Sequence, residues 1–469
     1  MLFSYPACKY IPYNVLIGPD GEEKRSMSVA ETEPPAALGA DTAQRSLFHK
    51  IAWRLVPFLS VCYLFSQIDR VNISFAKFQM VADLNLSDTV YGLGAGIFFV
   101  GYCLFEVPSN IILKRVGAPL WLGIIGVTWG ILSAATLFIF DSKSYYMMRF
   151  LLGVAEAGFF PGVIYYLTFW FPARQRSQVT GIFMATIAVS GVIVGPLSGA
   201  IMSNLDGWLG LRGWQLILLI EGLPAAFLGI MCWLYLDTSP AQATWLSEDE
   251  KRLLTRTLDQ ESRLVIDTGE RSALARVLSS PAAWGISLTY FCYGVAFYGI
   301  VFWLPTMIKG SGVEDPLTIG LLTAIPWGVS IIVMIALASY AGRRGNSRRV
   351  MVALSVVSAG GFALMLAAGS GMIALVGLVI AMSTNMASLP LLWNLPTRLF
   401  SGASAAIVIG MIAAIGNFAG FFAPYVVGWS RENLGSFDVA MYIFVGAMLL
   451  ASPLLLSLPR QVGSRAVPP

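Results

Sequence analysis

Four ionisable side chains in two apolar segments are the residues of this sequence whose types and spacing could do chemistry. Asp69 and Arg70 are adjacent in one segment, and Arg149 and Glu156 lie seven residues apart in another. On an α-helix, adjacent residues point about 100° apart, whereas residues seven apart share one face at a separation of about 10 Å. Asp69 and Arg70 can therefore meet different surroundings, while the other two line a single helix face.

These four groups form a nearly neutral cluster if their two segments pack side by side. An arginine binds a carboxylate through two parallel hydrogen bonds and does not lose its own proton. A buried carboxyl group can take up a proton and release it again during a working cycle. The cluster therefore predicts a site for a small organic anion and a proton. A fixed salt-bridge network between two helices would use the same residues, and this structural alternative stays open.

Other polar side chains in apolar segments give weaker signals. Glu106 and Glu221 are better explained as latches between helices than as ligands. The second half of the chain has almost no charge in its apolar segments and offers neutral polar groups instead, namely Ser383, Thr384, Asn385 and Asn417. Asn417 is the best ligand candidate of this set, because the glycines near it, Gly416 and Gly420, leave space beside its side chain.

The composition indicates where such a cluster would be placed. The chain has 469 residues, of which 57% are hydrophobic and 12% are charged, and its mean hydropathy is +0.72. Soluble domains carry about 25% charged residues, so this chain has too much apolar surface for a soluble fold. A membrane-spanning helix needs about 20 mostly apolar residues. We therefore expect a multi-pass protein of the plasma membrane, which is the inner membrane in a Gram-negative bacterium.

Twelve apolar stretches are long enough to be spans, and they fall into two groups of six. The predicted spans are 53–78, 90–113, 119–140, 145–170, 178–203, 214–236, 282–308, 317–341, 349–369, 371–394, 402–428 and 437–458. The expected class is an all-α membrane protein with two six-helix halves and a site near the middle of the membrane between them. The predicted regions are a disordered cytoplasmic tail at 1–49, six-helix bundles at 50–239 and 281–460, a central cytoplasmic loop at 240–280, and a cytoplasmic tail at 461–469.

The positive charges between the spans favour one orientation. Under this span count, one side of the membrane carries clustered Lys and Arg, including Lys114, Arg115, Arg174, Arg176, Lys251, Arg252, Arg256, Arg343, Arg344, Arg348, Arg349 and Arg398. The other side carries scattered single charges, namely Lys77, Lys143, Arg212, Lys309 and Arg431. Because loops rich in Lys and Arg stay in the cytoplasm during insertion, both termini and the central loop are expected there.

The sequence gives little support to an enzyme, a metal site or a nucleic-acid-binding protein. His49 is the single histidine, the five cysteines are scattered without a CxxC pair, and we find no Walker, HExxH or GxSxG motif. These are the patterns that metal, nucleotide and acyl-transfer chemistry need. The net charge of +4 is spread over loops rather than gathered in one basic face. We expect no metal and no cofactor, and we expect the chain to act as a monomer in the lipid bilayer.

Several motifs resemble one transporter family. The longest is the stretch 149–162, which reads RFLLGVAEAGFFPG; the others are DRVN at 69–72, GYCLFEVPSN at 101–110 and FWFPAR at 169–174. Together they are similar to the anion:cation symporter family of the major facilitator superfamily. The likeness covers about residues 50–460, and the first half is most similar to members labelled tartrate transporters.

The resemblance implies a proton-coupled symporter that takes up carboxylates, such as tartrate, another hydroxy-dicarboxylate or a sugar acid. By position, Asp69 and Glu156 are the implied proton sites. Arg70 is implied to grip the carboxylate of the substrate and Arg149 to pair with Asp69, with Tyr102 and Asn417 completing the substrate site. An exporter or exchanger of the same fold, an aromatic acid as substrate, and sodium as coupling ion stay open as alternatives.

Two loops depart from the pattern of the superfamily. Residues 110–115 lack the acidic residue that often stands four positions before an arginine, and residues 339–344 lack the usual aspartate. Both loops lie on the side of the membrane that is predicted to be cytoplasmic. The sequence therefore leaves open how the two halves are latched on that side.

Overall fold

The described residues of the computed structural model are 35–262, 270–344, 346–400 and 402–459, and nearly all of them are helical. The helices of the first half and of the central segment are α1 (Pro35–Asp83), α2 (Asp88–Val116), α3 (Ala118–Ala135), α4 (Ser142–Glu156), α5 (Phe159–Leu167), α6 (Ala173–Asn204), α7 (Gly213–Tyr235), α8 (Glu248–Ser262) and α9 (Glu270–Leu278). The helices of the second half are α10 (Pro281–Lys309), α11 (Pro316–Arg344), α12 (Ser347–Ala368), α13 (Met372–Trp393), α14 (Leu395–Leu399), α15 (Gly402–Leu434) and α16 (Asp438–Ser457).

Twelve helical stretches of the described residues are long and apolar enough to cross a membrane. Six of them precede the central helices α8 and α9, and six follow. The prediction of an all-α membrane protein with twelve spans is confirmed. The fourth span consists of two helices, because α4 and α5 together cover Ser142–Leu167.

The break between α4 and α5 lies beside the predicted site and depends on one glycine. The sequence predicts a single helix over 145–170, but α4 ends at Glu156 and Gly158 adopts a φ of +87°, in the left-handed region. Glycine reaches this region without steric cost, since it has no Cβ. A Cβ at Gly158 would also lie 2.1 Å from the hydroxyl oxygen of Ser109 on α2. Glu156 is therefore the last residue of a helix rather than part of its middle.

Polar caps fix several helix ends in the loops. At the start of α4, the Asp141 side chain accepts a hydrogen bond from the backbone N–H of Ser144 at 2.7 Å, and the Ser144 hydroxyl bonds back to the backbone of Asp141. Hydrogen bonds from Ser144 hold the pKa of Asp141 below its usual range. At the start of α8, Ser247 and Glu250 form a similar pair of bonds. Such capping boxes satisfy N–H groups that a helix start leaves unpaired.

The two halves meet along α2 with α15 and along α6 with α11. Glycines allow these helices to approach backbone to backbone, since a Cβ at Gly92 would lie 2.3 Å from the carbonyl oxygen of Pro424, and one at Gly199 would lie 2.5 Å from that of Pro316. Small residues at such contacts are typical of helices packed in membranes. Both contacts lie at the end of the molecule where α1 ends and α2 begins, which we call the closed end.

The opposite end of the molecule is the one at which α2 finishes and α8 and α9 are located, and we call it the open end. Gly181 of α6 and Gly410 of α15 lie toward this end, and a Cβ added at either of them would have no heavy atom within 4 Å. The close backbone contacts at Gly92 and Gly199 thus have no counterpart at these two glycines.

Two predicted regions differ from the structure. Residues 35–49 were expected to belong to a disordered tail, but α1 begins at Pro35; residues 1–34 lie outside the described residues. The predicted central loop contains α8 and α9, which bury apolar side chains on one face, including Leu254, Ala273 and Val277. Residues 263–269 and the predicted tail at 461–469 are also outside the described residues.

Candidate functional site for an anion and a proton

A close contact between α2 and α4 positions the candidate site. A Cβ at Gly101 would lie 2.4 Å from the carbonyl oxygen of Phe150, and one at Gly153 would lie 2.0 Å from that of Phe98. Any larger residue at either glycine would push the two helices apart. The glycines therefore bring the face of α2 that carries Phe98 against the face of α4 that carries the predicted arginine and glutamate.

Arg70 and Glu156 form an ion pair that joins α1 to α4. One terminal nitrogen of Arg70 contacts Oε1 of Glu156, and the Ser66 hydroxyl donates to the same oxygen at 2.6 Å. The Glu156 side chain is 1% exposed, whereas the Arg70 side chain is 14% exposed. Within the described residues, Nε of Arg70 and Oε2 of Glu156 have no hydrogen-bond partner. The pair is therefore only partly satisfied, and its arginine side is the accessible one.

Two aromatic rings of α2 support the arginines. The Cζ atom of Arg70 lies 5.2 Å from the ring centroids of both Phe98 and Tyr102, and the Cζ atom of Arg149 lies 5.0 Å from the ring of Phe98. A guanidinium group within about 6 Å of an aromatic centroid is attracted by the ring. Tyr102 was predicted from the resemblance, whereas Phe98 was not. The i, i+4 spacing of the two rings on α2 was the available signal.

Arg149 is buried, and no ion pair within 4 Å involves it among the described residues. Its side chain is 1% exposed, and its Nε and one terminal nitrogen have no hydrogen-bond partner among the described residues. The resemblance implied a pair between Arg149 and Asp69, but no ion pair within 4 Å joins them in the described part of the chain. The expectation is wrong for this conformation, because Asp69 is turned toward α3. A buried guanidinium without a carboxylate within ion-pair distance is costly, so Arg149 is an energetically unfavourable group in this conformation.

Asp69 lies in a different environment from Arg70, as helix geometry predicts. It is 1% exposed, and its two oxygens accept hydrogen bonds from Nε1 of Trp129 at 2.7 Å, from the Ser133 hydroxyl, and from Nδ2 of Asn72 at 3.3 Å. Trp129 and Ser133 belong to α3. Asp69 is therefore held by neutral donors behind the site, whereas Arg70 faces α2 and α4.

The second half contributes neutral groups. Asn417 on α15 is partly exposed and interacts with Cys103, the neighbour of Tyr102, rather than with the charged pair. Tyr298 on α10 packs against Phe99 with ring centroids 4.6 Å apart, and it lies close enough to Arg70 to interact with it. Tyr298 is not among the site residues that the sequence predicts, so sequence reasoning missed it as a group at the site.

A second cluster of charged residues joins the two halves at the closed end. Nζ of Lys77 lies 2.7 Å from one oxygen of Asp88, and Nε of Arg431 lies 3.1 Å from the other. Lys77 is 5% exposed, and its Nζ lies 3.7 Å from the ring centroid of Trp303 on α10. The backbone N–H of Thr89 donates to Glu432 at 2.9 Å. The sequence treated Lys77 and Arg431 as scattered charges, because nothing in the chain shows that Asp88 lies between them.

Comparison with known proteins decides the family. The family model for the Major Facilitator Superfamily matches residues 59–424. The chain belongs to the Major Facilitator Superfamily. It is 41% identical over 414 residues to a protein named "Putative tartrate transporter" from Agrobacterium vitis, covering 88% of this chain and 91% of that one. It is 38% identical over 426 residues to "Putative metabolite transport protein NicT" from Pseudomonas putida, covering 91% and 97%.

A solved structure supports the same fold. The inward-open conformation of the xylose transporter XylE from Escherichia coli matches with a TM-score of 0.72 at 14% sequence identity, covering 88% of this chain and 98% of that one. As a member of the Major Facilitator Superfamily with twelve candidate spans, the chain is a multi-pass membrane transporter of small molecules and not an enzyme. Within the described residues, no group of three or more His, Cys, Asp or Glu side chains could hold a metal ion.

Proposed function

We propose that this transporter takes up a small organic anion together with a proton. The substrate class is a hydroxy-dicarboxylate such as tartrate, or a sugar acid. The observation that carries the proposal is the partly exposed Arg70, whose only ion-pair partner in the described residues is the buried Glu156. The relative named for tartrate transport, at 41% identity, supports the carboxylate class.

The ion pair itself couples the two ligands. While Glu156 is ionised, it occupies Arg70 and competes with any anion that enters. A proton on Glu156 removes that competition and frees the planar donor face of Arg70 for a substrate carboxylate, which guanidinium groups bind in bidentate fashion. Binding of the anion and binding of the proton therefore favour each other. Asp69, held behind the site by three neutral donors, is the second proposed proton site.

The remaining groups suit a second carboxylate and hydroxyl groups on the substrate. Arg149 has two N–H positions without partners and shares the Phe98 ring with Arg70, so it can attract a second carboxylate once the site rearranges. Tyr102 and Asn417, from opposite halves, are proposed to hydrogen-bond the neutral part of the substrate. A dicarboxylate with hydroxyl groups matches this set better than a purely apolar acid.

Alternating access is the proposed route, with 50–239 and 281–460 as the two moving halves around the 240–280 segment. Loops rich in Lys and Arg lie at the open end, and by the positive-inside rule this end faces the cytoplasm. The conformation is then inward-facing, with both termini inside, and outward opening must separate Asp88 from Arg431. We propose that one chain in the plasma membrane suffices, since both halves of the site come from the same chain.

Uptake into proteoliposomes tests the proposal. A panel of radiolabelled carboxylates, including tartrate, a sugar acid and an aromatic acid, is offered with and without an inward proton gradient, and with sodium in place of that gradient. Accumulation of a hydroxy-dicarboxylate or a sugar acid above the external concentration is expected only with the proton gradient. Gradient-independent exchange, net export, or a requirement for sodium would instead support an exchanger, an exporter or a sodium symporter.

A further inference from the structure

Glu221 is a buried acid that the proposed mechanism does not use. It lies on α7, is 1% exposed, and has no ion-pair partner within the described residues. The Ser198 hydroxyl of α6 donates to its Oε1 at 2.7 Å, whereas its Oε2 has no hydrogen-bond partner. The sequence suggested a latch between helices. An ionised carboxylate with a single donor and no counterion is costly to bury.

Asn72 connects this acid to the proposed site. Its Nδ2 donates to Oδ1 of Asp69 at 3.3 Å, and its side chain lies close enough to the Glu221 carboxyl group to interact with it. Asn72 is 1% exposed, and its Oδ1 accepts no hydrogen bond within the described part of the chain. Two unpartnered acceptors, Oε2 of Glu221 and Oδ1 of Asn72, thus belong to one buried network.

A single proton satisfies both acceptors. Unpartnered buried acceptors are rare, because each has lost its hydrogen bonds to water without gaining a replacement. A hydrogen on Oε2 of Glu221 turns that oxygen into a donor, and Oδ1 of Asn72 is the acceptor that lacks one. The donors also favour Glu221 as the acid that holds the proton, since in the described residues Asp69 accepts from three groups and Glu221 from one. The carboxyl group with fewer donors is the one that benefits from carrying its own hydrogen.

We propose that Glu221 is protonated and donates to Asn72, and that it thereby fixes the Asn72 amide with its NH₂ group toward Asp69. Glu221 is then a positioning residue for the proton site at Asp69. The groups around it are consistent with this role: among the described residues, Asp69 of α1 is the charged group that interacts with it, and α6 supplies the Ser198 hydroxyl. The protonation of Glu221 is independent of transport, but its effect on Asp69 rests on the proposed proton coupling.

The reversed arrangement is the competing state. If the amide of Asn72 turned over, its oxygen would face Asp69 and its NH₂ group would face Glu221. The hydrogen would then have to sit on Asp69. The two arrangements differ in which acid is neutral, and this difference is measurable without any substrate.

Infrared spectroscopy of the purified full-length protein detects a protonated carboxyl group directly. A protonated carboxyl band at neutral pH is expected to shift when glutamate carboxyls, but not aspartate carboxyls, carry ¹³C. Glu221→Gln is expected to remove this band, whereas Asp69→Asn and the control Glu106→Gln leave it. A band that follows aspartate labelling, or that persists in Glu221→Gln, would overturn the proposal. Labelled native protein still distinguishes a protonated glutamate from a protonated Asp69 even if a variant does not fold.

The pH profile of uptake tests the positioning role. In Glu221→Gln the amide N–H can replace the carboxyl hydrogen as donor to Asn72, so the profile should match that of the native protein. In Glu221→Ala that donor is lost, Asn72 is released from Asp69, and the midpoint is expected to move upward by about one pH unit, a tenfold effect. If Glu221→Ala lowers the amount of folded protein but leaves the midpoint of the pH profile unchanged, the role of Glu221 is purely structural. If no proton-coupled uptake is found, the proposed function is wrong, but the infrared measurement still shows whether Glu221 is protonated.

Discussion

At the residue scale, the proposed function depends on how one arginine is shared between two carboxylates, that of Glu156 and that of the substrate. Arg70 is the accessible member of the cluster, and Glu156 is the buried acid that occupies it. The two could equally be a static bond that ties α1 to α4. Substitutions that keep charge but change shape, or that remove charge in pairs, separate these interpretations.

Arg70→Lys is expected to weaken carboxylate binding although the charge is retained, and Arg70→Ala to abolish it. A lysine offers a point charge instead of the planar fork of arginine. Loss of a charged bidentate contact is worth about 1.5–3 kcal/mol, or roughly ten- to a hundred-fold in affinity. Calorimetry in detergent measures this. The double variant Arg70→Ala, Glu156→Gln removes both charges of the pair, and native-like substrate binding in it would show that Arg70 is only structural.

Glu156→Gln is expected to stop proton-driven accumulation while exchange of internal for external substrate continues. The amide resembles the protonated acid, so Arg70 stays available, but it cannot cycle between two charge states. Counterflow and gradient-driven uptake are compared in the same vesicles. Glu106→Gln, another acid of the first half, is the control and should keep both activities. Full accumulation in Glu156→Gln would remove Glu156 from the coupling role.

The sequence predicted the four charged residues of the site but not how they pair. Helix geometry states that Asp69 and Arg70 diverge and that Arg149 and Glu156 share a face. It does not give the rotation of one helix against the next, which decides that Glu156 rather than Asp69 meets an arginine. Phe98 and Tyr298 were missed for a related reason, since aromatic residues in spans usually pack and only contacts distinguish the exceptions.

At the element scale, the ends of α1, α2, α10 and α15 form the contact that would have to open in the proposed alternating-access route. Asp88 binds Lys77 of its own half and Arg431 of the other half. Asp88→Asn leaves a nearly buried lysine without its carboxylate, and removing one partner of a buried pair costs about 3 kcal/mol. The closed end should therefore open more often.

Spin labels at Ala82 and Asn433, both exposed at the closed end, measure this opening as a longer distance between the labels. The control is Asp141→Asn, which changes an acid that caps α4 within the first half and should leave the distances unaltered. If Asp88→Asn gives the native distance distribution, the cluster does not control the closed end.

The break before α5 gives a second prediction at this scale. Gly158→Ala forces a Cβ into the left-handed region, which costs about 1–2 kcal/mol, and brings that atom against Ser109. A lower melting temperature is expected in detergent. Gly181→Ala is the matched control, because its Cβ enters open space within a helix and alanine favours helix by about 1 kcal/mol. Equal melting temperatures for the two variants would mean that the break does not need glycine.

Span positions were predictable at this scale, because a run of about 20 apolar residues strongly indicates a membrane-spanning helix. The break at Gly158 was not, since a glycine inside an apolar run is equally consistent with an unbroken helix. The helices α8 and α9 were not predicted from the sequence for the opposite reason. Their charged sequences lack the apolar content of a span, and only their buried side chains show that they pack.

At the scale of the whole molecule, the distribution of Lys and Arg predicts the orientation. Single cysteines at Asp249, in α8, and at Lys143, in α4, are both exposed and lie at opposite ends of the bundle. A membrane-impermeant thiol reagent added to whole cells should label the cysteine at 143 and not the one at 249. Labelling of both positions from the same side would invert or break the proposed topology.

Simultaneous measurement of substrate entry and proton entry tests proton-coupled uptake most directly. Proteoliposomes that contain a pH-sensitive dye are given external tartrate or another carboxylate from the uptake panel, with no gradient imposed. The lumen is expected to acidify as labelled substrate enters, and both signals are expected to vanish in Arg70→Ala. Substrate that enters and accumulates while the internal pH stays constant would contradict proton-coupled uptake.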